Sequence, residues 1–282
     1  MNIAATNRQT PALRQQIENA QAQVRRQPEH ADSRARLFQW LAVSGDWDRA
    51  NAQLALCAKL APGAVAMLAL YRSAIEAEKE RHAVFSGSQP PRWFASEPAP
   101  EWFALLCRAL EPGADMAEYC AQALELAPAT AGRIIVQATD TQAGTPRDYD
   151  WIGDGDSRLA PVCEVIAGGQ YGWLPFAAIR RIRMDAPQGL CDLVWAQARI
   201  DLVDGREQAC LIPARYPSGA GALDYADLDE AALMSRRTAW LQGGAHTFLG
   251  VGQKMWMTDQ GEHALLDVRE LVCGDGAGLN DD

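Results

Sequence analysis

Residues 45–50 read Gly-Asp-Trp-Asp-Arg-Ala, and residues 58–62 read Ala-Lys-Leu-Ala-Pro. Glycine permits a tight turn between two helices because it adopts backbone angles that other residues avoid. Trp47 and Ala50 let the helices approach closely, and Pro62 ends the second helix because proline cannot continue it. The pattern is typical of a tetratricopeptide repeat and predicts a helical hairpin around Gly45.

The spacing of prolines around this hairpin indicates a repeat. Pro28 and Pro62 are 34 residues apart, and Pro62 and Pro128 are 66 apart, close to twice that interval. In between the match is poor, because residues 64–84 predict one long helix and residues 89–94 predict a loop. We expect a tetratricopeptide-like α-α superhelix with degenerate repeats. The alternative is an irregular α-hairpin domain whose prolines have this spacing by chance.

The composition of the sequence and the spacing of its apolar residues change near residues 130–140. Before this point the chain is rich in Ala, Leu and Gln with helical spacing; after it, short apolar runs alternate with Gly, Asp and Pro. Asp204-Gly205 between two such runs predicts a hairpin. The runs that predict strands are 132–136, 198–203 and 208–213.

The charge distribution supports the same division. Residues 1–137 carry 14 basic and 14 acidic side chains, whereas residues 138–282 carry 12 basic and 22 acidic ones, which accounts for the net charge of −10. An acidic surface repels phosphate backbones, so we expect no nucleic-acid partner. The predicted fold is therefore two-domain, α then α+β: a helical repeat-like domain over 1–137 and an acidic, β-rich α+β domain over 138–282.

Several features point to the cytoplasm. Every apolar run is shorter than the roughly 20 residues that a transmembrane helix needs, so we expect no membrane partner, and no secretory signal is visible. The seven cysteines include no CxxC pair, and an odd number leaves at least one unpaired. Buried thiols in a reducing compartment explain them better than a disulfide framework does.

The sequence contains no recognisable catalytic or metal-binding motif. The four histidines are far apart, no G-x-S-x-G elbow is present, and no cysteine has a histidine neighbour. The glycine-rich segments 250–252 and 274–278 lack the spacing and the following helix of a phosphate-binding loop. We expect no catalytic residue, no cofactor and no metal.

Residues 148–158 form the densest polar segment, with acidic side chains at alternate positions. A calcium loop is disfavoured because Arg158 occupies a ligand position and Val165 stands where the closing carboxylate belongs. Carboxylate catalysis by Asp154, Asp156 and Glu164 is a second alternative. With arginines nearby, we favour a salt-bridged turn that joins the two halves.

Five of the nine tryptophans lie in the acidic half. Such a cluster can form a ligand box or an interface, because Trp offers a large contact area at little entropic cost. We favour the simpler interpretation, a small β-rich core that uses Trp to fill volume. If the cluster instead forms a ligand site, the alternative function is an enzyme or small-ligand-binding protein that uses the acidic, Trp-rich half.

A series of motifs in one order resembles the ImpE family, whose members are also called SciE-type virulence proteins or TagJ, accessory components of the bacterial type VI secretion system. The resemblance covers roughly residues 10–272. It departs from the family at Ala160, where the family has glycine. The motifs are Asp-Gly-Asp-Ser-Arg-Leu-Ala-Pro at 154–161, Gly-Gln-Tyr-Gly-Trp-Leu-Pro-Phe at 169–176, Ile-Pro-Ala-Arg-Tyr-Pro at 212–217, and the segments 34–38, 45–47, 72–78 with Arg81, 84–87, 192–195 and 237–240.

The resemblance implies a repeat-like helical domain joined to a smaller β-rich domain, and no catalysis. It implies a partner, a short helix of the small contractile-sheath subunit, and a link to the AAA+ ATPase that recycles the sheath. A helix in a groove is a common recognition mode. The expected partner contacts are Arg34, Gln39, Trp47, Tyr71 and Arg72. The family-motif residues expected to be structural are Asp154, Asp156, Arg158, Glu164, Tyr171, Trp173, Pro175, Trp195, Arg215, Tyr216 and Trp240.

Overall fold

The computed structural model describes residues 11–137, 144–218 and 224–274. The helices in these residues are α1 Pro11–Arg26, α2 Ala31–Val43, α3 Trp47–Leu60, α4 Val65–Phe85, α5 Glu101–Ala109, α6 Met116–Leu126 and α7 Glu230–Leu233. The strands are β1 Arg92–Trp93, β2 Gly132–Val136, β3 Arg147–Tyr149, β4 Ile152–Asp154, β5 Val162–Ala167, β6 Gln170–Pro175, β7 Ile179–Met184, β8 Trp195–Leu202, β9 Glu207–Pro213, β10 Thr238–Gly244, β11 Thr247–Gly252, β12 Met255–Thr258, β13 Gly261–Ala264 and β14 Val268–Cys273.

Helices α2 and α3 form the hairpin that residues 45–50 predict. Gly45 makes the turn with a positive φ of 76°, and the Asp46 carboxylate accepts the Arg49 backbone N–H at the start of α3. Helix α3 ends just before Pro62. The long helix predicted at 64–84 is α4, which runs from Val65 to Phe85.

Nine strands of the described residues form the main sheet, in the order β1-β6-β5-β9-β8-β7-β14-β2-β3. Its pairs are antiparallel except the edge pair β1–β6. The predicted hairpin at Asp204-Gly205 joins β8 to β9, and Gly205 has the positive φ that the turn requires. Within the described residues, β10–β11 and β13-β12-β4 form two smaller sheets.

The main sheet has an apolar core on each face because side chains alternate along its strands. On β8, Trp195 packs with the helices, whereas its neighbours Ala196 and Ala198 pack on the opposite face. The first core includes residues of helices α1–α6 together with Trp173 and Leu211 of the sheet. The helices and one face of the sheet therefore share a core, and a second core covers the other face.

An N-terminal helical region precedes a C-terminal sheet-rich region, as the sequence predicts. The sheet-rich region, 132–273, is longer than the helical region, 11–126, so the expectation of a smaller C-terminal part is wrong. Residues 89–94 are also not entirely a loop, because Arg92 and Trp93 pair with β6. The expected boundary between 137 and 138 lies just after β2, which belongs to the main sheet.

Candidate functional site

Charged side chains that are almost inaccessible to solvent lie where α4 packs on the sheet. Four are acidic and four are basic, so their formal charges cancel. Isolated charges are costly to bury, and a set of this kind must be internally paired. We call these residues the charge cluster: Glu78, Arg81, Asp154, Asp156, Arg158, Glu164, Arg215 and Lys254.

Glu164 of β5 is the centre of the charge cluster. Arg81 donates from Nε and Nη2 to the two Glu164 carboxylate oxygens at 2.7 and 2.9 Å, and Lys254 Nζ lies 2.7 Å from Oε2. Tyr171 adds a hydroxyl donor at 2.6 Å. Burial alone would raise the pKa of Glu164, but the Arg81 and Lys254 cations outweigh it and hold the pKa well below its ordinary value. Glu164 is therefore ionised and fully engaged.

Asp154 occupies the other side of Lys254. Lys254 Nζ donates to its carboxylate at 2.8 Å, and so does the backbone N–H of Asp156 at 3.0 Å. Burial raises the pKa of Asp154 to about 6 although Lys254 opposes the shift. A carboxylate held between two internal donors is not free to serve a substrate.

The 154–158 loop is held by an Asp156–Arg158 pair. Arg158 donates from Nε and Nη2 to the Asp156 carboxylate at 2.9 and 2.6 Å. The same carboxylate also accepts a hydrogen bond from the backbone N–H of Gly250. The Arg158 guanidinium lies 4.9 Å from the ring centre of Phe85, at the end of α4. The loop therefore contacts both the helical region and the β10–β11 hairpin.

Arg215 closes the C-terminal end of α2. Its guanidinium donates to the carbonyl oxygens of Val43 at 2.5 Å and Ala42 at 3.3 Å, and to that of Leu233 at 3.0 Å. Carbonyls in the last turn of a helix lack partners within the helix, so a buried cation there satisfies them. Arg215 is thus a structural link between the two regions.

The aromatic residues of the family motif are mostly internal. Trp173 donates its indole N–H to the Tyr171 hydroxyl at 2.7 Å, and Trp195 donates to Glu78 at 3.0 Å. Tyr216 lies under Lys254, with 4.7 Å between the ammonium and the ring centre. Trp240 packs on Tyr216 with 5.6 Å between the ring centres. Pro175, the non-aromatic residue of the same motifs, is buried at the end of β6.

The five expected partner contacts do not form one surface. Trp47 and Tyr71 pack against Trp195, with ring centres 5.7 and 6.0 Å away, so they face the sheet. Arg34 donates to the Pro28 carbonyl and to Gln53. The other two, half-buried Gln39 on α2 and exposed Arg72 on α4, are the more accessible candidates.

An open groove of about 800 Å³ lies between α4 and the sheet. Nothing in the sequence pattern predicts this groove, because its helical wall consists mainly of small residues that are common in any helix. We call it the α4 groove. Its walls include Ala66, Ala69, Leu70 and Ser73 of α4, and Arg183, Gln197, Arg199, Ala209 and Leu211 of β7, β8 and β9.

A second pocket, of about 430 Å³, lies beneath the 154–158 loop. Its wall is largely apolar and includes Trp102, Leu124, Trp151 and Met257. Asp154 contributes to the floor, but its carboxylate is bonded to Lys254 as described above.

The structure offers little for metal or thiol chemistry. No group of three or more His, Cys, Asp or Glu side chains in the described residues could hold a metal ion. All seven cysteines are free, and six are buried. Desolvation raises the pKa of each cysteine thiol, to about 11 at Cys107 and about 12 at Cys120, which disfavours the reactive thiolate. No helix of the described residues is long and apolar enough to span a membrane.

Comparison with known proteins identifies the family. The ImpE protein family model matches residues 146–272, which contain most of the charge cluster. The type VI secretion system accessory component TagJ of Pseudomonas aeruginosa PAO1 is 41% identical over 256 residues, which cover 89% of this chain and 84% of that protein. The chain belongs to the ImpE family.

The fold of this ImpE chain also occurs in a crystal structure of a protein from Vibrio parahaemolyticus. The two superpose with a TM-score of 0.78 over 93% of this chain and 94% of that one, at 21% identity. The likeness therefore covers both the helical and the sheet-rich regions.

Proposed function

We propose that this chain is a non-catalytic accessory adaptor of a bacterial type VI secretion system. The main support is the 41% identity to a protein that is named as such a component. The geometry agrees with the proposal, because the acids of the charge cluster are buried in ion pairs or hydrogen bonds with neighbouring side chains. Charges engaged in this way stabilise a structure and leave no free general acid or base.

The proposed partner is a short helix of the small contractile-sheath subunit, and the proposed role links the sheath to the AAA+ ATPase that recycles it. An adaptor needs an accessible surface, and the open α4 groove supports the proposal in this respect. The protein would act in the cytoplasm, where the seven free thiols suit a reducing environment.

The proposal includes a tetratricopeptide-like organisation of the helical region. Helices α2 and α3 pack along each other across the Gly45 turn, and α5 and α6 form a second packed pair. Degenerate repeats of this kind would present a curved helical surface. The expected contacts Arg34, Gln39, Trp47, Tyr71 and Arg72 belong to this region.

The second candidate function is a small-ligand-binding protein. The apolar pocket beneath the 154–158 loop favours it, because its volume of about 430 Å³ falls within the range of ligand sites. The engaged carboxylates argue against the enzymatic form of this alternative.

Affinity purification tests the adaptor proposal. The tagged full-length chain is purified from a strain with an active type VI secretion system, and bound proteins are quantified by mass spectrometry. We expect enrichment of the small sheath subunit, and weaker enrichment of the ATPase, over the same tag on an unrelated protein. Absence of both from the purified sample, with the sheath present in the lysate, would contradict the proposal.

A further inference from the structure

The pocket beneath the 154–158 loop is a preformed apolar cavity, which we call the loop pocket. Three aromatic side chains and Met257 contribute to its wall, and none of its described lining residues is Lys or Arg. Two of the aromatic rings are held in place by packing, with 5.7 Å between the ring centres of Trp102 and Trp93 and 5.6 Å between those of Phe176 and Trp256. Fixed walls let the cavity accept an apolar group without the entropic cost of ordering its own side chains.

Apolar surface continues from the loop pocket onto the outside of the protein. Leu124 and Trp151 belong to the pocket wall, yet they are 59% and 43% exposed. Contiguous exposed apolar surface marks interaction sites. A small molecule enclosed in the cavity would leave these two side chains in water, whereas a protein segment with one side chain in the cavity covers them as well. The occupant that fits this surface is therefore a segment of a protein chain.

The exposed charges beside the loop pocket are acidic. Glu101, Glu125 and Asp150 are exposed, and each adjoins a lining residue in the chain. The backbone N–H of Asp150 donates to the Asp259 carboxylate at 2.8 Å, which brings a fourth carboxylate close to the third. None of these four carboxylates forms an ion pair within the part of the chain that the structure describes. Their negative charge is therefore available to a partner.

Charge complementarity gives the sign of the partner, because opposite charges around an apolar contact attract the correct partner and like charges repel others. Among the described residues that adjoin the lining in the chain, the basic one is Arg158, which is fully buried against Asp156. Residues 275–282 of this chain contain three aspartates and no basic residue, so their charge has the wrong sign for this site. The acidic surroundings favour Lys or Arg beside the apolar group that enters the cavity.

We propose that the loop pocket binds a partner protein through a segment in which a large apolar side chain is flanked by Lys or Arg. The apolar side chain enters the cavity lined by Trp102 and Met257, and the flanking cations lie near Glu101, Glu125 and Asp150. This inference goes beyond the proposed function, because it assigns a second binding surface. The described lining residues of the loop pocket are all different from those of the α4 groove.

Synthetic peptides test the chemistry of the site on the unaltered full-length chain. The probe is a fluorescein-labelled peptide with Leu-Trp-Leu at its centre and two lysines on each side, and fluorescence polarisation measures its binding. One comparison peptide has glutamates in place of the lysines, and another keeps the lysines around a Gly-Ser-Gly centre. We expect the probe to bind at least tenfold more tightly than either comparison peptide, because the site needs both the apolar anchor and the positive charge.

Matched substitutions of two exposed leucines locate the bound probe. Leu124→Gln alters the wall of the loop pocket on α6, whereas Leu56→Gln makes the same change on α3, away from the pocket. Both full-length variants are titrated after their melting temperatures show that they are folded. We expect Leu124→Gln to weaken binding roughly fivefold or more and Leu56→Gln to leave it unchanged.

A matched charge reversal separates the local acidic groups from the net charge of the protein. Glu125→Lys and Glu29→Lys change the net charge equally, but only Glu125 adjoins the lining of the loop pocket. Glu125→Lys should weaken binding of the probe several-fold and reduce its dependence on salt, and Glu29→Lys should change it little.

Several results would overturn the proposal: no binding of the probe, equal binding of either comparison peptide, or full binding by Leu124→Gln. Binding that appears only in a Leu279→Gln variant would assign the loop pocket to the C-terminal segment of this chain instead. A dimer in light scattering that Leu124→Gln, but not Leu56→Gln, converts to a monomer would make the pocket an interface between two copies. The affinity purification described above tests sheath binding separately, so the proposed function does not depend on these outcomes.

Discussion

Arg158 and Arg133 each pair with an aspartate at nearly the same distance but in opposite surroundings. Arg158 lies 2.6 Å from Asp156 with both side chains fully buried, and Arg133 lies 2.7 Å from Asp148 with both largely exposed. Removing one partner of a buried pair leaves the other as an uncompensated charge, whereas water solvates the survivor of an exposed pair. Burial, and not distance, therefore decides what each pair contributes.

We predict that Arg158→Met lowers the free energy of unfolding by about 3–5 kcal/mol, because it leaves the Asp156 carboxylate buried without its cation. Arg133→Met, the matched control, should change it little. Urea denaturation of both variants measures the difference. Equal, small effects would contradict the structural role, and unchanged stability of Arg158→Met with loss of partner binding would make the loop an interface.

Part of the charge cluster could be predicted from the sequence. The family motifs contain Asp154, Asp156, Arg158, Glu164 and Arg215, and the structure brings these residues together. Their carboxylates and guanidinium groups meet through tertiary packing, so spacing alone could not assign the pairs.

One member of the charge cluster, Lys254, was missed altogether, and Glu78 and Arg81 were known only as part of a family motif. The available signal for Glu78 and Arg81 was their position beside Ala74, Ile75 and Ala77, on the apolar side of α4. A charge on such a side needs an internal partner. Lys254 gave no such signal, because it lies in a short connection before β12.

At the scale of elements, the turn at Gly45 depends both on the backbone angle of this residue and on its packing against Tyr225. Gly45 and Gly113 both have left-handed backbone angles, with φ of 76° and 83°. A Cβ added at Gly45 would lie 2.8 Å from a ring carbon of Tyr225, whereas one at Gly113 would meet no described atom within 4 Å. Substitutions at these two glycines therefore distinguish the energetic cost of backbone strain, which both share, from the cost of a steric clash, which only Gly45 has.

Gly113→Ala should lower the free energy of unfolding by about 1–2 kcal/mol, the cost of a left-handed angle for an L-residue. Gly45→Ala should cost at least about 1 kcal/mol more, because the methyl group displaces Tyr225 in a packed site. Thermal and urea denaturation give both values. Equal losses would show that Tyr225 moves aside freely and that the turn is determined by its backbone alone.

The sequence predicted most elements with strong local signals. The α2–α3 hairpin, the long α4 and the β8–β9 hairpin follow from glycine, proline and apolar spacing. Strand β1 was missed because it has only two residues after two prolines, and it exists through pairing with Gly172 and Trp173 far along the chain. Pairing of this kind leaves no local pattern to detect.

At the scale of the whole molecule, the helical and sheet-rich regions are held together by shared charges as well as by a shared apolar core. Arg81 and Glu78 on α4 bond to Glu164 and Trp195 on the sheet, and Arg215 bonds to the end of α2. This packing uses the inner side of α4 and leaves its N-terminal half beside an open groove. Under the proposed function, binding at the α4 groove and stability would depend on different parts of α4.

Hydrogen–deuterium exchange of the full-length chain, alone and saturated with the small sheath subunit, tests this account most directly. Amides that become buried beneath a docked helix exchange more slowly. The account predicts slower exchange in the helical region, above all in residues 62–74, and at the groove strands, residues 197–211. Slower exchange confined to residues outside the helical region and the groove strands, or no change anywhere in a sample shown to contain the complex, would contradict it.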